Sequence, residues 1–368
     1  MTEVKPPPCR PRRRARRALW GVLALLVLAG AAHGVAWLWA TGALAVGMSD
    51  WVTQRRAEGW SVSHGPPARG GWPLAARLAV PDVRLEAPSR GGQAGLAHEA
   101  QRVVLQIAPP QPDRLVILFE GPQRLNLGAA TFPFVAARLA LTVPLAPGPA
   151  PPAAEVAVTG LEALLPDGLL LVRAGRMVVQ PGGLRAGASA LRLAETDPAL
   201  ALAVRAEGVG LPASPIAAAL GREVELLSAE AQLSGPIPWP GPPAVMAAGW
   251  RDAGGALDIA SLALRWGPLD GEARARLVLD GALQPQGRGT LRLAGAPAAL
   301  EALARAGVID GTAARGAQTV VALLGRAPPE GGPPRVELPV ALAHGTVSLA
   351  RVPLLRVAPI VWPVSGGW

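Results

Sequence analysis

The chain has 368 residues, of which 50% are hydrophobic and only 17% are charged. It is long enough for one large or two ordinary domains, with ample apolar residues for a core. Its net charge of +9 suggests a nucleic-acid partner, but residues 1–17 alone carry +6, because seven basic residues oppose only Glu3. The remaining +3 is scattered as single arginines through apolar segments, without the basic stripe that a nucleic-acid surface needs. We therefore expect no nucleic acid among the partners.

The number of cysteines excludes two further kinds of chemistry. Cys9 is the single cysteine of the chain. A disulfide within the chain and a cysteine-based metal cluster are therefore excluded.

A long uncharged segment follows the basic residues, with no Asp, Glu, Lys or Arg from Ala18 to Ser49. A helix rises about 1.5 Å per residue, so about 20 residues cross a hydrocarbon core of about 30 Å. On such a helix Trp20 lies about 28 Å from Trp39, which suits indole rings at both headgroup levels. The sequence thus predicts a basic tail at 1–17 and a transmembrane anchor at 18–48.

The position of the arginines predicts the orientation. They lie only on the N-terminal side, so the positive-inside rule places residues 1–17 in the cytoplasm and exports residues 49–368. In a bacterium with two membranes this is an inner-membrane protein whose bulk is periplasmic. A cleaved signal peptide, with a small-residue site at Ala29-Gly30-Ala31, is the alternative, although the apolar run continues to Val46.

The segment after the anchor predicts a short amphipathic helix over residues 49–58. Ser49 or Asp50 would cap its first turn. Gly59 would end it, since glycine readily adopts the left-handed conformation that follows a helix.

Beyond Trp60 the dominant hydrophobic period is two, which is typical of half-buried antiparallel strands. The clearest such segments are residues 83–87, 273–280 and 335–342, with turn signals at 180–183, 270–271 and 280–281. Short helices are predicted at 215–220, 242–250, 297–306 and 311–324, the last with Asp310 as its cap. We predict a mainly β chain (β-rich α+β): a large curved antiparallel sheet region with a few short helices, following one transmembrane helix. A proline-rich segment at 144–152 predicts a division into two subdomains near residue 150.

No motif names a reaction. The chain has no nucleophile elbow, no P-loop and no dinucleotide-binding glycine motif. Its four histidines, at positions 33, 64, 98 and 344, are far apart along the chain, so no local pair of metal ligands exists. We assign no catalytic, cofactor-binding or metal-binding residues and no cofactor, and we expect the protein not to be an enzyme. His33 is expected to snorkel or to face a partner, and His344 to lie in a turn.

Two short motifs support a family resemblance. Gly59-Trp60 precedes one predicted strand and Gly71-Trp72-Pro73 opens the next, and the likeness continues to the segment 289–355. This pattern resembles the alphaproteobacterial family catalogued as domain of unknown function 2125. That resemblance implies an uncharacterised membrane-anchored envelope protein and supplies no functional residues.

The C-terminal section, around residues 344–355, more loosely resembles AsmA-like envelope proteins. Their plan implies an inner-membrane anchor, a long curved sheet with an apolar concave face, and a role in lipid movement or outer-membrane homeostasis. Fold alone does not determine function.

The functional hypotheses differ in the role that they give to two apolar strand segments. Residues 115–119 (LVILF) and 168–172 (GLLLV) are apolar on both faces, so they line either a groove or a core that is covered on both sides. A groove favours a non-catalytic envelope protein that binds or conveys phospholipid. The alternatives are a scaffold that contacts envelope proteins, and a periplasmic hydrolase whose site is dispersed in sequence.

Overall fold

A computed structural model describes residues 12–88, 95–128, 130–145, 153–181, 198–236, 243–325, 335–349 and 352–362. Of these described residues, 54% lie in strands. One long N-terminal helix precedes the sheet, and a few short helices interrupt it.

The elements follow one another in a simple order. The helices are α1 (Arg12–Ala57), α2 (Pro215–Leu220), α3 (Pro243–Asp252), α4 (Ala296–Arg305) and α5 (Gly311–Leu324). The strands are β1 (Ser61–Ser63), β2 (Ala68–Gly70), β3 (Ala76–Glu86), β4 (Leu96–Ala108), β5 (Gln111–Leu127), β6 (Ala130–Pro144), β7 (Ala154–Leu165), β8 (Gly168–Pro181), β9 (Pro198–Gly210), β10 (Glu223–Ser234), β11 (Ala256–Trp266), β12 (Leu269–Leu279), β13 (Pro285–Ala294), β14 (Arg335–Ala343), β15 (Thr346–Leu349) and β16 (Val352–Arg356).

All of these strands belong to one antiparallel sheet. From β3 to β15 each strand pairs with the strand before it and the strand after it, β16 pairs with β15, and β1 and β2 both pair with β3. The predicted fold class is therefore confirmed. The sheet also continues from β6 to β7, and the division near residue 150 stays a prediction.

The N-terminal helix differs from its prediction. Residues 49–58 do not form a separate helix, because α1 runs unbroken through Ser49. Ser49 does not act as a cap: its hydroxyl donates to the Val46 carbonyl, 2.7 Å away, within the helix. Thr53 donates in the same way to the Ser49 carbonyl. These hydroxyl groups find partners one turn back, so the predicted break does not occur.

The predicted end of the helix is confirmed. Gly59 has a φ of +90°, a region that favours glycine. Its amide donates to the Arg56 carbonyl, and the Trp60 amide donates to the Arg55 carbonyl. These two bonds form a Schellman motif, which satisfies the last carbonyls of the helix.

The C-terminal half of α1 packs on the sheet. Thr41, Leu44 and Val52 are buried on one side of the helix, at spacings that return to the same face. Leu44 contacts a core that includes Leu78 and Val80 of β3. In contrast, every residue from Arg16 to His33 is exposed.

The short helices agree with their predictions within one or two residues. The Asp310 carboxylate accepts from the Thr312 amide at 2.8 Å and caps α5 as predicted. The predicted order of strand, helix, helix and strand in the segment 289–349 is likewise confirmed.

The turn predictions had mixed outcomes. The hairpin at Asp280-Gly281 is confirmed, and the Asp280 carboxylate accepts from the amides of Ala282 and Gln284. The turn predicted at Asp270-Gly271 is wrong: the chain reverses at residues 267–268, and Gly271 is buried within β12. Its missing side chain makes room for Leu293, which a Cβ atom would approach to 3.1 Å. Of the turn predicted at 180–183, residues 182–183 lie outside the described residues.

Candidate functional site

The register of the sheet aligns apolar residues across twelve neighbouring strands. Residues that pair directly in an antiparallel sheet point to the same face. One row of paired positions runs from β3 to β14 and consists of Leu78, Leu105, Ile117, Leu141, Val156, Met177, Val204, Ala229, Leu262, Ala273, Leu291 and Leu338. No polar residue interrupts this row.

A second row runs beside the first, two residues away along each strand. It consists of Val80, Val103, Phe119, Leu139, Val158, Gly175, Ala206, Leu227, Leu264, Gly271, Leu293 and Val336. A spacing of two residues keeps both rows on the same side of the sheet. We call the side formed by these two rows the apolar face.

The opposite side of the sheet is charged from β8 onward, whereas the corresponding positions of β3–β7 are Ala79, Val104, Leu118, Ala140 and Ala157. Between the two apolar rows, the paired positions from β8 to β14 are Arg176, Arg205, Ser228, Ala263, Glu272, Arg292 and Glu337. Ion pairs connect neighbouring strands there, such as Arg176 with Glu155 at 2.8 Å and Arg292 with Glu337 at 3.0 Å. From β8 to β14 this contrast identifies the charged side as the solvent-facing one.

Helices cover the apolar face at both of its ends. At the first end α1 lies over β3 and buries Leu78 to 1% exposure. At the other end α5 contacts β14, where Leu338 is 4% exposed. Glu337, on the opposite side of the same strand, keeps 54% of its side chain exposed. The two C-terminal helices therefore cover the apolar side of the sheet.

The middle of the apolar face is open. Leu227 and Leu262 are each 37% exposed, although they occupy the same rows as the buried leucines and valines of the ends. In the described part of the chain, the helices pack mainly on β1, β3, β12 and β14 and leave the middle of β6–β11 half-exposed. With strands about 4.8 Å apart, this opening is about 24 Å wide. An acyl chain spans half of a hydrocarbon core of about 30 Å, so the opening is wide enough for one.

An apolar cavity of about 360 Å³ extends this face under α3. Paired leucines of three strands, Leu233, Leu257 and Leu277, form its floor. Trp250 of α3 forms part of its wall, held by a 2.8 Å hydrogen bond from its indole N–H to the Ser234 carbonyl. The described residues that line the cavity all carry apolar side chains.

A second depression, of about 740 Å³, has a mixed lining near β3–β8. Glu99 lies between two arginines there, 3.3 Å from Arg84 and 3.4 Å from Arg124. A hydrogen bond to Glu86 and the charges of Glu86 and Glu99 raise the pKa of Arg84, so this guanidinium stays a cation. Glu99 thus forms ion pairs with arginines on both of its sides.

Beneath this region lies a buried amide. Gln123 is 4% exposed, and its carbonyl oxygen lies 3.0 Å from Nε2 of His98, whose ring stacks on Phe134. Among the described residues the Nε2 of Gln123 finds no hydrogen-bond partner, and an unpaired buried donor costs about 1–3 kcal/mol. The sequence contained no signal for this pair, because a single histidine and a single glutamine are 25 residues apart.

The remaining histidines lie apart from one another. His33 contacts the sheet domain, with its Nε2 2.7 Å from the Pro73 carbonyl oxygen. His344 lies in the turn between β14 and β15, as predicted, with a φ of +50°. In the described residues no group of three His, Cys, Asp or Glu side chains is arranged to hold a metal ion.

The two strand segments that separated the functional hypotheses also differ in exposure. Residues 115–119 of β5 are half-buried throughout. In residues 168–172 of β8, Leu169 and Leu171 are 46% and 41% exposed. The interpretation that both segments lie in a core covered on both sides is therefore wrong for β8.

Comparison with known proteins gave one family. No curated protein and no solved structure matches the chain, so the AsmA-like resemblance of the C-terminal section stays a prediction. Residues 37–358 match a family described as uncharacterized protein conserved in bacteria (DUF2125). This match starts within α1 and spans the sheet to its last strand, and the chain therefore belongs to the DUF2125 family.

Proposed function

We propose that this protein is a membrane-anchored envelope protein that binds phospholipid acyl chains on the open middle of its apolar face. The role is non-catalytic: the protein holds or conveys lipid and does not change its covalent structure. The observation that carries the proposal is the pair of uninterrupted apolar rows, which are covered at their ends and half-exposed between β6 and β11.

An exposed apolar surface of this extent suits a partner that is itself apolar. Contiguous apolar patches on soluble surfaces mark lipid, ligand or protein contacts. Lipid is favoured because the rows contain no charged or hydrogen-bonding side chain with which to recognise a protein. The adjoining cavity under α3 is also lined by apolar side chains.

The position of α1 supports the same proposal. This helix is long and apolar enough to cross a membrane, and its packed half covers the first end of the apolar face. The face therefore begins beside the predicted bilayer, where lipid is available. By the positive-inside rule, the arginines before Ala18 favour a cytoplasmic N-terminus and a periplasmic sheet in a bacterium with two membranes.

Native mass spectrometry of the full chain, released from detergent micelles, tests lipid binding. We expect bound phospholipid in the unmodified protein and its loss in Leu227→Glu, which places a charge on the apolar face. Ser228→Glu is the matched control, because Ser228 lies on the opposite side beside Arg205. Equal lipid binding by both variants would contradict the proposal, as would an unmodified protein without lipid.

A further inference from the structure

A loop before β3 is held against α1 by several contacts. We call residues 71–75 the tryptophan loop. Its Pro73 carbonyl oxygen lies 2.7 Å from Nε2 of His33, and its Ala75 carbonyl accepts from the indole N–H of Trp37 at 2.9 Å. The indole of Trp72 lies against the same helix, 5.0 Å from the His33 ring and 5.7 Å from the Trp37 ring.

The tip of this loop is apolar and exposed. Leu74 has 81% of its surface exposed and Trp72 has 52%. No charged residue occurs between Arg69 and Arg77, and both of these flanking arginines are exposed. The loop uses its carbonyl groups to hold the helix and yet directs large apolar side chains outward. The described contacts within the protein do not account for that exposure.

The contact point on α1 gives the height of the loop relative to a bilayer. Trp20 and Trp39 are separated by about 28 Å of helix, close to the thickness of a hydrocarbon core. The loop touches residues 33–37, about one turn before Trp39. If Trp20 marks one headgroup level, then the loop lies at the other.

We propose that the tryptophan loop inserts into the periplasmic headgroup region of the bilayer, as a second membrane contact beside α1. Trp72 occupies the interface, where tryptophan is enriched, and Leu74 reaches the adjoining acyl chains. Arg69 and Arg77 are placed to meet lipid phosphates from above. The inference depends on the membrane anchoring that is part of the proposed function, and it is independent of lipid binding on the apolar face.

A second contact has a geometric consequence. A single transmembrane helix leaves the whole protein free to rotate about the helix axis in the bilayer, whereas a second membrane contact fixes the orientation of the sheet. The loop leads directly into β3, whose Leu78 and Val80 start the two apolar rows. Insertion would therefore hold the first end of the apolar face at the membrane surface.

Depth-dependent fluorescence quenching tests this inference in the full chain. Replacing Cys9 by Ser gives a cysteine-free background, because Cys9 is the single cysteine. A polarity-sensitive dye is then attached at Leu74→Cys, at Leu25→Cys in the exposed half of α1, or at Leu323→Cys. Leu323 is the matched control, since it is a leucine of 80% exposure on α5. The proteins are reconstituted into phosphatidylcholine and phosphatidylglycerol vesicles that contain nitroxide lipids labelled near the headgroup or near the chain end.

We expect the dye at position 74 to shift to the blue and to be quenched mainly by the headgroup-proximal nitroxide. The dye at position 25 should be quenched mainly by the chain-end nitroxide, and the dye at position 323 by neither. If position 25 is quenched while position 74 behaves like position 323, loop insertion is wrong and anchoring stands. If position 25 is not quenched, anchoring itself is wrong. Quenching at all three positions would show the sheet lying flat on the bilayer, which also overturns a specific loop contact.

Discussion

The covered end and the open middle of the apolar face belong to the same rows of paired residues, but a described helix lies only over the end. Leu78 of β3 and Leu262 of β11 occupy the same row, yet the first is 1% exposed and the second 37%. The difference arises because α1 lies over β3, whereas the described helices leave the middle of β6–β11 half-exposed. One row of paired residues can thus form a closed core at one end of the sheet and an open surface in its middle.

The covered and the open parts of the row therefore contribute differently to folding stability and to ligand binding. Where a helix covers the row, the apolar side chains stabilise the fold. Where no described residue covers it, identical side chains contribute less to folding and remain free to bind an apolar ligand. The comparison predicts that substitutions in one row have large effects at its covered end and small effects in its middle.

The largest expected effect follows removal of residues 1–49. This deletes Trp37, Thr41 and Leu44, and burial of a large apolar side chain contributes about 1.5–3 kcal/mol. The combined loss approaches the total stability of an ordinary domain, about 5–15 kcal/mol. We expect aggregation in gel filtration, whereas a chain lacking only residues 1–31 keeps its packed face and its far-UV circular dichroism. A monomeric chain starting at residue 50 with an unchanged melting temperature would show that α1 is dispensable for the fold.

Two matched substitutions test the difference between the covered end and the open middle of the row. Leu78→Ala leaves a cavity beneath α1 and should lower the free energy of unfolding by about 2–5 kcal/mol. Leu262→Ala removes a half-exposed side chain from the same row and should cost less than about 1 kcal/mol. Urea unfolding of both variants in the same detergent gives the two values. Similar losses would mean that the middle of the row is covered.

A smaller effect is expected from Trp37→Phe. This change removes the hydrogen bond to the Ala75 carbonyl and should cost about 1 kcal/mol. The reference variant is Trp39→Phe, because Trp39 is 75% exposed and has little packing to lose. Thermal unfolding of the two proteins compares them, and a larger loss at Trp39 would contradict the described packing of α1.

The smallest effect is expected on the charged side. Arg292→Gln removes an ion pair whose partners are both 54% exposed, so its cost should be below about 1 kcal/mol and should shrink in high salt. Urea unfolding at low and high ionic strength measures this. A loss of several kcal/mol, independent of salt, would mean that this side is buried.

Much of the fold was predictable because local patterns determine it. Alternation in segments such as 273–280, turn chemistry at Asp280 and capping by Asp310 all act within a few residues. The wrong predictions arose at residues that have two competing local roles. Ser49 is a good cap by type, but its hydroxyl finds a carbonyl within the helix, and Gly271 serves packing against Leu293 instead of a turn.

The candidate site was less predictable than the fold. The sequence indicated apolar strands and an anchor, but the alignment of twelve strands depends on pairings between residues distant in the chain. Whether Leu171 or Leu262 faces solvent depends on where the helices lie, and the strand sequences do not encode that. The contact of the tryptophan loop with His33 likewise joins residues 40 positions apart.

Photo-cross-linking in intact bacteria tests whether lipid binds the open middle of the apolar face. The photoreactive residue p-benzoylphenylalanine is placed at position 262, on the open middle of the apolar face, or at position 263, on the charged side of the same strand. We expect a phospholipid adduct at position 262 and none at position 263. Equal adducts at both positions, a protein adduct alone at position 262, or no adduct there would contradict lipid binding on this face.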